Sequence, residues 1–335
     1  MSNTSSSLTK KDFESGQEVR WCPGCGDYAI LSTFQKVLAD LGIPPHKYAI
    51  ISGIGCSSRF PYYMGTYGFH TIHGRAFSIA TGLRLALPDP EIQIWVMSGD
   101  GDGLSIGGNQ LLHLLRRNLN IKVVIFNNQI YGLTKGQYSP TSPPGHITKS
   151  SPFGVLETPV NPVAFALGAG ASCVIRTVDR DLKHMGQMFK EAALFEGTVF
   201  LEIFQNCIVY NDGAYEYLYD KDQKWENALY VEHKKPMRFG KNGEKGVVLG
   251  NDSKPQVVNV AEAGEGKILI HDETNLEQAW ILAQMERPVP LGVIYRKKRP
   301  VLENLYLQLE EKTIQEKGPG DLKKLLYSGQ TWKIS

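Results

Sequence analysis

The chain has 335 residues, about the length of two average domains, and 42% of them are hydrophobic and 21% charged. That usage is ordinary for globular proteins and excludes a disordered or collagen-like chain. The length suffices for a sizeable core. Thirty-six basic and 34 acidic residues leave a formal charge of +2, too balanced for a protein that binds nucleic acid or membrane surfaces by charge.

Residues 1–15 are polar, lack the apolar centre of a secretory signal, and are expected to be a flexible lead-in. No apolar run approaches the roughly 20 residues of a membrane span, so a cytoplasmic chain is expected. Apolar residues at helical spacing (Ile30, Leu31, Phe34, Val37, Leu38, Leu41) predict a helix over 29–41, stopped by Gly42 and Pro44. A short strand over 48–52 runs into a Gly/Cys/Ser loop. A helix over 75–87 ends before Pro88, and a buried strand over 91–98 meets a Gly-rich turn. A Leu-rich helix over 106–118 and a second buried strand over 121–127 follow. Segments 162–167, 172–176, 182–194 and 198–204 continue the alternation. The pattern predicts an α/β fold, a parallel sheet with helices on both faces. After about residue 206 the character changes. Residues 206–265 read as loops and short hairpins, followed by a helix over 275–285, a strand over 290–296 and a charged tail in which 303–308 reads as helix. The expected organisation is a lead-in (1–15), one cofactor domain (16–230) and an irregular C-terminal extension (231–335).

The strongest local signal is Ser98-Gly-Asp-Gly-Asp-Gly103, between a buried strand and a helix. Ligands of open α/β sheets bind beyond the carboxyl ends of the strands. There, glycines admit a phosphate close to the backbone, and helix-start N–H groups favour anions. A carboxylate at such a turn cannot bind phosphate itself, but it can hold a Mg²⁺ that does. The next strand ends in Asn127-Asn128, about 25 residues on, enough for one helix and one strand. An Asp from one turn, with an amide oxygen and a backbone carbonyl from the other, makes a hard oxygen site for Mg²⁺. Two ordinary βα turns are the alternative. The set of GDG, spacer and NN is similar to the thiamine diphosphate signature. By that resemblance Asp100, the Asn128 side chain and the Ile130 carbonyl hold Mg²⁺, Gly101 and Asp102 touch the diphosphate, and Gly132 and Leu133 line the cofactor pocket.

Five cysteines are present, an odd number that argues against a disulfide framework in a cytosolic chain. Cys22-Pro-Gly-Cys25 alone fits a redox dithiol, half a zinc site or half an iron–sulfur site. The redox reading is weak, because the motif is not expected to follow a strand and open a helix. Cys56, after one strand, and Cys207, after another, reach the same sheet edge as the GDG turn. Four thiolates can converge there and hold either a 4Fe–4S cluster or zinc, and the residues alone leave both open. Cys173 sits in an apolar strand of small residues and reads as a core thiol.

Taken together, Trp21-Cys-Pro-Gly-Cys-Gly26, Gly53-Ile-Gly-Cys-Ser57, His73-Gly-Arg75, Gly99-Asp-Gly-Asp102 and Asn128-Gln-Ile-Tyr-Gly-Leu-Thr-Lys-Gly-Gln137 resemble the β subunit of 2-oxoacid:ferredoxin oxidoreductases. The resemblance runs from about Trp21 to Asp212 and includes 275–300; 232–262 looks longer than a minimal subunit needs. It implies a thiamine-diphosphate-binding fold, and one 4Fe–4S cluster on Cys22, Cys25, Cys56 and Cys207. It also implies thiamine contacts from Ile54, Gly55, Ser57 and His73. The implied reaction is oxidative decarboxylation of a 2-oxoacid with CoA and ferredoxin.

Only one GDG–NN module is present, whereas thiamine enzymes pair a diphosphate module with an aminopyrimidine module. A partner α chain (or a fused γ–α chain) is therefore expected to complete the site, in an α2β2-type assembly, and the isolated chain is expected to be inactive. Arg59 is a candidate for the substrate carboxylate, which favours 2-oxoglutarate over pyruvate or branched-chain acids; a surface arginine is the alternative. Leu133, Thr134 and Lys135 extend the cofactor loop toward substrate or simply order it. The basic runs around 233–245 and 296–299 suit an acidic ferredoxin or are solvated strand ends. Rival readings are a non-oxidative thiamine decarboxylase with structural zinc, and a metal-stabilised interaction module.

Overall fold

A computed structural model describes residues 8–334. An eight-stranded sheet organises the chain: β1 (Tyr48–Ser52), β2 (Tyr67–His70), β3 (Gln93–Gly99), β4 (Ile121–Asn127), β5 (Cys173–Val178), β6 (Val199–Phe204), β7 (Ala228–Val231) and β8 (Val289–Arg296), in the spatial order β2-β1-β3-β4-β6-β5-β8-β7. The six strands from β2 to β5 are parallel; β8 runs antiparallel to β5 and parallel to β7. Strands β1, β4, β5 and β6 are buried along their whole length. Both sheet faces are covered, so these strands read as continuous apolar runs rather than alternations.

One face packs α2 (Ala76–Ala86), α3 (Gly108–Arg117), α4 (Pro162–Gly168) and α6 (Leu276–Ala283) around Phe77, Leu111, Leu114 and Leu115. The other packs α1 (Gly26–Leu41) and α5 (Leu182–Leu194) around Phe34, Trp95 and Phe189. Gly42, at φ 70°, ends α1 in the left-handed conformation, the expected helix stop. Asn118 ends α3 the same way. Its Oδ1 accepts hydrogen bonds from Ser172 Oγ and Thr198 N, and its Nδ2 donates to the Arg299 and Pro300 carbonyls, tying four segments at the amino-terminal edge of the sheet.

The structure departs from the sequence expectations in five places. Helix α1 begins at Gly26, three residues early, so the Cys22–Cys25 motif does open a helix, although among the described residues no strand precedes it. Strand β2 was not anticipated: all four of its residues are exposed at the sheet edge, and it carries neither an apolar run nor an alternation. The helix expected over 106–118 starts at Gly108, behind a π-helical turn over Asp102–Ile106. The lead-in is packed over its described part, since Phe13 is fully buried against Tyr48; residues 1–7 lie outside the described residues. The extension expected to be irregular is ordered. It forms a three-stranded antiparallel sheet (Arg238–Phe239, Lys245–Leu249, Pro255–Asn259), inserts β8 between β5 and β7, and adds α7 (Leu302–Lys317). The insertion of β8 makes the segment after residue 230 part of the principal core.

Candidate functional site

Strands β1, β3, β4 and β6 are adjacent and run in one direction, so the loops after Ser52, Gly99, Asn127 and Phe204 leave from one edge. That edge is where an open parallel sheet binds ligands. Two hollows form there, side by side. One is a cleft of about 80 Å³ lined by Ile54–Ser57, His73, Gly99–Asp102, Asn128 and Ile130–Thr134. The other is a cavity of about 240 Å³ lined by all four loop cysteines, with Trp21, Asp27, Arg59, Lys135 and Gln205. Cys56, Asn128, Gly132 and Leu133 border both.

In the cleft, Asp100 is 2% exposed and accepts hydrogen bonds on one oxygen from Ser139 Oγ, at 2.6 Å, and Thr141 Oγ1. Burial pushes its carboxyl up to about 6; a buried carboxylate is most costly when unpaired, so the site suits a bound cation. Asp102 does different work. Its carboxylate receives Ser98 Oγ at 2.7 Å, Gly74 N at 2.8 Å and Ile54 N at 3.3 Å, and His73 Nδ1 lies 2.5 Å away. It therefore clamps the loops after β1 and β2 together, which leaves its backbone rather than its carboxylate for an anion. Two glycines are required at this junction. A Cβ at Gly53 would stand 2.0 Å from Asp102 Oδ2, and one at Gly101 would stand 2.2 Å from the Tyr131 ring, whose hydroxyl donates to the Gly101 carbonyl at 3.0 Å.

After β4, Asn127 turns inward and donates to Glu202, itself paired with Arg176 at 2.7 Å. Asn128 turns toward the cleft. Its Nδ2 donates to Gln205 Oε1 at 2.8 Å and its Oδ1 accepts the Ile130 N–H at 3.1 Å. This closes a tight turn with Gln129 at φ 58°, and Asn128 and Ile130 line the same cleft as Asp100. The residues fit a hard cation. Leu133, Thr134 and Lys135 are exposed at the tip of a small hairpin (Ile130–Tyr131 with Gln137–Tyr138).

Cys25 caps α1, Cys56 opens the turn that carries Arg59, and Cys207 follows β6. Burial pushes the Cys56 thiol up to about 12 and raises those of Cys25 and Cys207, with the buried Asp27 carboxylate adding to each rise. Such thiols stay protonated until a metal displaces the proton. Among the described residues no three His, Cys, Asp or Glu side chains converge on a single-ion position. The four cysteines line one cavity. Cys173 is fully buried in β5, away from the cavity.

Most candidate residues thus meet at one edge. Arg59 and Lys135 stand on the cysteine cavity rather than the cleft, and the Arg59 Nε is buried without a partner. Arg296 is spent on Glu191 and Glu273, Lys235 pairs with Glu232 and Arg299 donates to Ser172, so much of the basic runs is structural. Sequence reasoning missed Ser139, Thr141, Tyr131 as a clamp, and Gln205. Of these only Tyr131 lies within a quoted motif, and the contacts to Asp100, Gly101, Asn128 and Cys25 that give them their roles span 30 to 180 residues of the chain.

Residues 53–203 match the family of the thiamine pyrophosphate enzyme C-terminal TPP binding domain, a span that contains the whole cleft. The chain is 45% identical to the 2-oxoglutarate oxidoreductase subunit KorB of Mycobacterium tuberculosis, over 97% of its own length and 88% of that protein's. The chain belongs to the β subunits of the 2-oxoacid:ferredoxin oxidoreductases. This β subunit is also 38% identical to the 2-oxoacid:ferredoxin oxidoreductase subunit beta of Saccharolobus solfataricus, over 68% of the chain and 76% of the relative. Its fold superposes, with a TM-score of 0.78 and 32% identity over 98% of each chain, on a structure of the 2-oxoglutarate:ferredoxin oxidoreductase from Magnetococcus marinus with 2-oxoglutarate, coenzyme A and succinyl-CoA bound. Cys22, Cys25, Gln205 and Cys207 fall outside the matched TPP span, and Cys56 falls within it.

Proposed function

We propose that this β subunit, joined to an α (or fused γ–α) subunit, converts 2-oxoglutarate, CoA and oxidised ferredoxin into succinyl-CoA, CO₂ and reduced ferredoxin. One observation carries the reading: a cleft with the thiamine signature and a four-thiol cavity share a wall made of Cys56, Asn128, Gly132 and Leu133. A one-electron carrier in the second would stand against the cofactor in the first.

Asp100, the Asn128 side chain and the Ile130 carbonyl would hold Mg²⁺, with Ser139 and Thr141 orienting Asp100. Backbone groups of Gly101 and Asp102 would take the diphosphate. Ile54, Gly55, Ser57 and His73, held by the Asp102 clamp, would position the ring system, with Gly132 and Leu133 opposite. Thiamine diphosphate supplies an electron sink for decarboxylation when bound. Cys22, Cys25, Cys56 and Cys207 would hold one 4Fe–4S cluster. The cluster reading is favoured over zinc by the thiamine cleft beside it, since a one-electron carrier has work to do there and a structural zinc has none. Arg59, whose buried Nε has no hydrogen-bond partner, would meet a distal substrate carboxylate, and Thr134 and Lys135 would order the hairpin tip beside the shared wall. The free cysteines suit a reducing cytoplasm.

The cleft is far smaller than the roughly 300 Å³ of a pocket that encloses a ligand, so it reads as one wall of a site finished by the partner. Anaerobic co-purification with that partner, followed by iron, sulfide and thiamine analysis, tests the assignment. Iron and sulfide in equal amounts, with visible absorbance bleached by dithionite, are expected. Zinc in their place would overturn it in favour of a non-oxidative decarboxylase.

A further inference from the structure

Gln205 joins the two hollows. It follows β6 directly, is 1% exposed, and its backbone N–H is fixed by the Asn127 carbonyl at 2.9 Å. Its Oε1 accepts from Asn128 Nδ2 at 2.8 Å. Its Nε2 donates to the Asn206 carbonyl at 2.7 Å and to Cys25 Sγ at 3.3 Å. The amide orientation follows from chemistry: the Asn206 carbonyl can only accept, so the nitrogen must lie on that side and therefore against the sulfur. The same carbonyl accepts the Gly26 N–H at 3.1 Å, which locks the first turn of α1, and with it Cys25, against Gln205. Both Nε2 protons are used, so the amide has no freedom to turn.

We propose that Gln205 is a positioning residue that sets the reduction potential of the thiol-held cluster, by donating its amide N–H to Cys25 Sγ while its carbonyl oxygen holds Asn128. The inference rests on the cluster reading given above. A hydrogen bond to a ligating sulfur stabilises the more negative, reduced cluster, and is one of the levers by which a protein moves the potential. Asn128 and Cys25 are thereby held by the two ends of one rigid amide, so that a single side chain links the cleft to the thiol cavity.

The test is a redox titration of the cluster signal, by electron paramagnetic resonance and visible absorbance, in the complex with the partner subunit. Wild type is compared with Gln205→Leu, which removes the donor, and Gln205→Glu, which keeps the acceptor and the shape. Both variants are expected to titrate at lower potential, by about tenfold in the reduction equilibrium or ~59 mV for one electron, with Gln205→Glu shifted further by its charge. An unchanged potential in variants that retain the cluster overturns the inference and leaves the cluster reading intact. A wild-type complex without a cluster overturns that reading and this inference with it. Loss of the cluster from both variants, with wild type loaded, also overturns it, because a donor that only tunes the potential is dispensable for holding iron.

Discussion

Asp100 and Asp102 are two residues apart, equally buried, and do different work. Asp102 is saturated by protein donors, whereas Asp100 has two hydroxyls on a single oxygen. Asp100→Ala is therefore expected to abolish Mg²⁺-dependent binding of thiamine diphosphate. Thr141→Ala, which removes only an orienting donor, should weaken it about tenfold, at the low end of the range for such supporting groups. Calorimetric titration of the complex checks both, and full affinity in Asp100→Ala contradicts the assigned site. The cysteines divide similarly. Cys173→Ala should leave the iron content of the complex unchanged, and Cys207→Ala should lose most of it; equal loss from both would contradict the four-to-one division. The motif residues were legible because each motif is local: GDG, NN and CPGC announce themselves within a few positions. Ser139, Thr141 and Gln205 were not, because their roles arise from contacts between segments that only the fold brings together.

Strands buried on both faces were the most legible elements. The bounds of β1 and β4 agree with the sequence expectation residue for residue, since continuous apolar runs bounded by Gly, Pro or Asn leave little choice. Strand β2 was invisible because its exposed edge position puts no pattern into its side chains, and β8 was seen as a strand without its place in the principal sheet being readable. Strand β4 also carries a buried charge. The Lys122 ammonium donates to Asn120 Oδ1 at 2.6 Å and to the carbonyls of Phe195 and Gly197, and burial pushes its pKa down to about 7. Below pH 7 the folded chain bears the whole cost of the buried charge. Between about pH 7 and 10 the folded group is neutral while the unfolded one is still protonated, so its contribution to stability rises with pH. The stability of wild type relative to Lys122→Met should thus increase from pH 6.5 to pH 9, by at most about 1.4 kcal/mol per pH unit. Urea unfolding at several pH values checks this, and a difference that stays constant across the range contradicts it.

At the scale of the whole molecule, the proposed function makes this β subunit one side of an active site that its α partner completes. The expectation of a partner came from the one GDG–NN module of the sequence. The structure adds that the cleft is small, about 80 Å³, and that Leu133 in its lining and Ile72, the chain neighbour of His73, are 49% and 69% exposed, apolar surface suited to burial by a partner. Among the described residues no helix is long and apolar enough to cross a membrane. The acid on which the enzyme acts was not legible to the same degree, because the one candidate for its distal carboxylate, Arg59, stands on the cysteine cavity rather than the cleft. Arg59→Ala should raise the KM for 2-oxoglutarate at least about tenfold, the scale of a lost charge-assisted pair, and leave cluster and thiamine content unchanged. The most direct test of the central claim is formation of acyl-CoA and reduced ferredoxin by the chain alone and by the chain co-purified with its partner, across a panel of 2-oxoacids. The account predicts turnover only in the complex, with 2-oxoglutarate preferred over pyruvate; turnover by the isolated chain, or a complex loaded with both cofactors that reduces no ferredoxin with any 2-oxoacid, would contradict it.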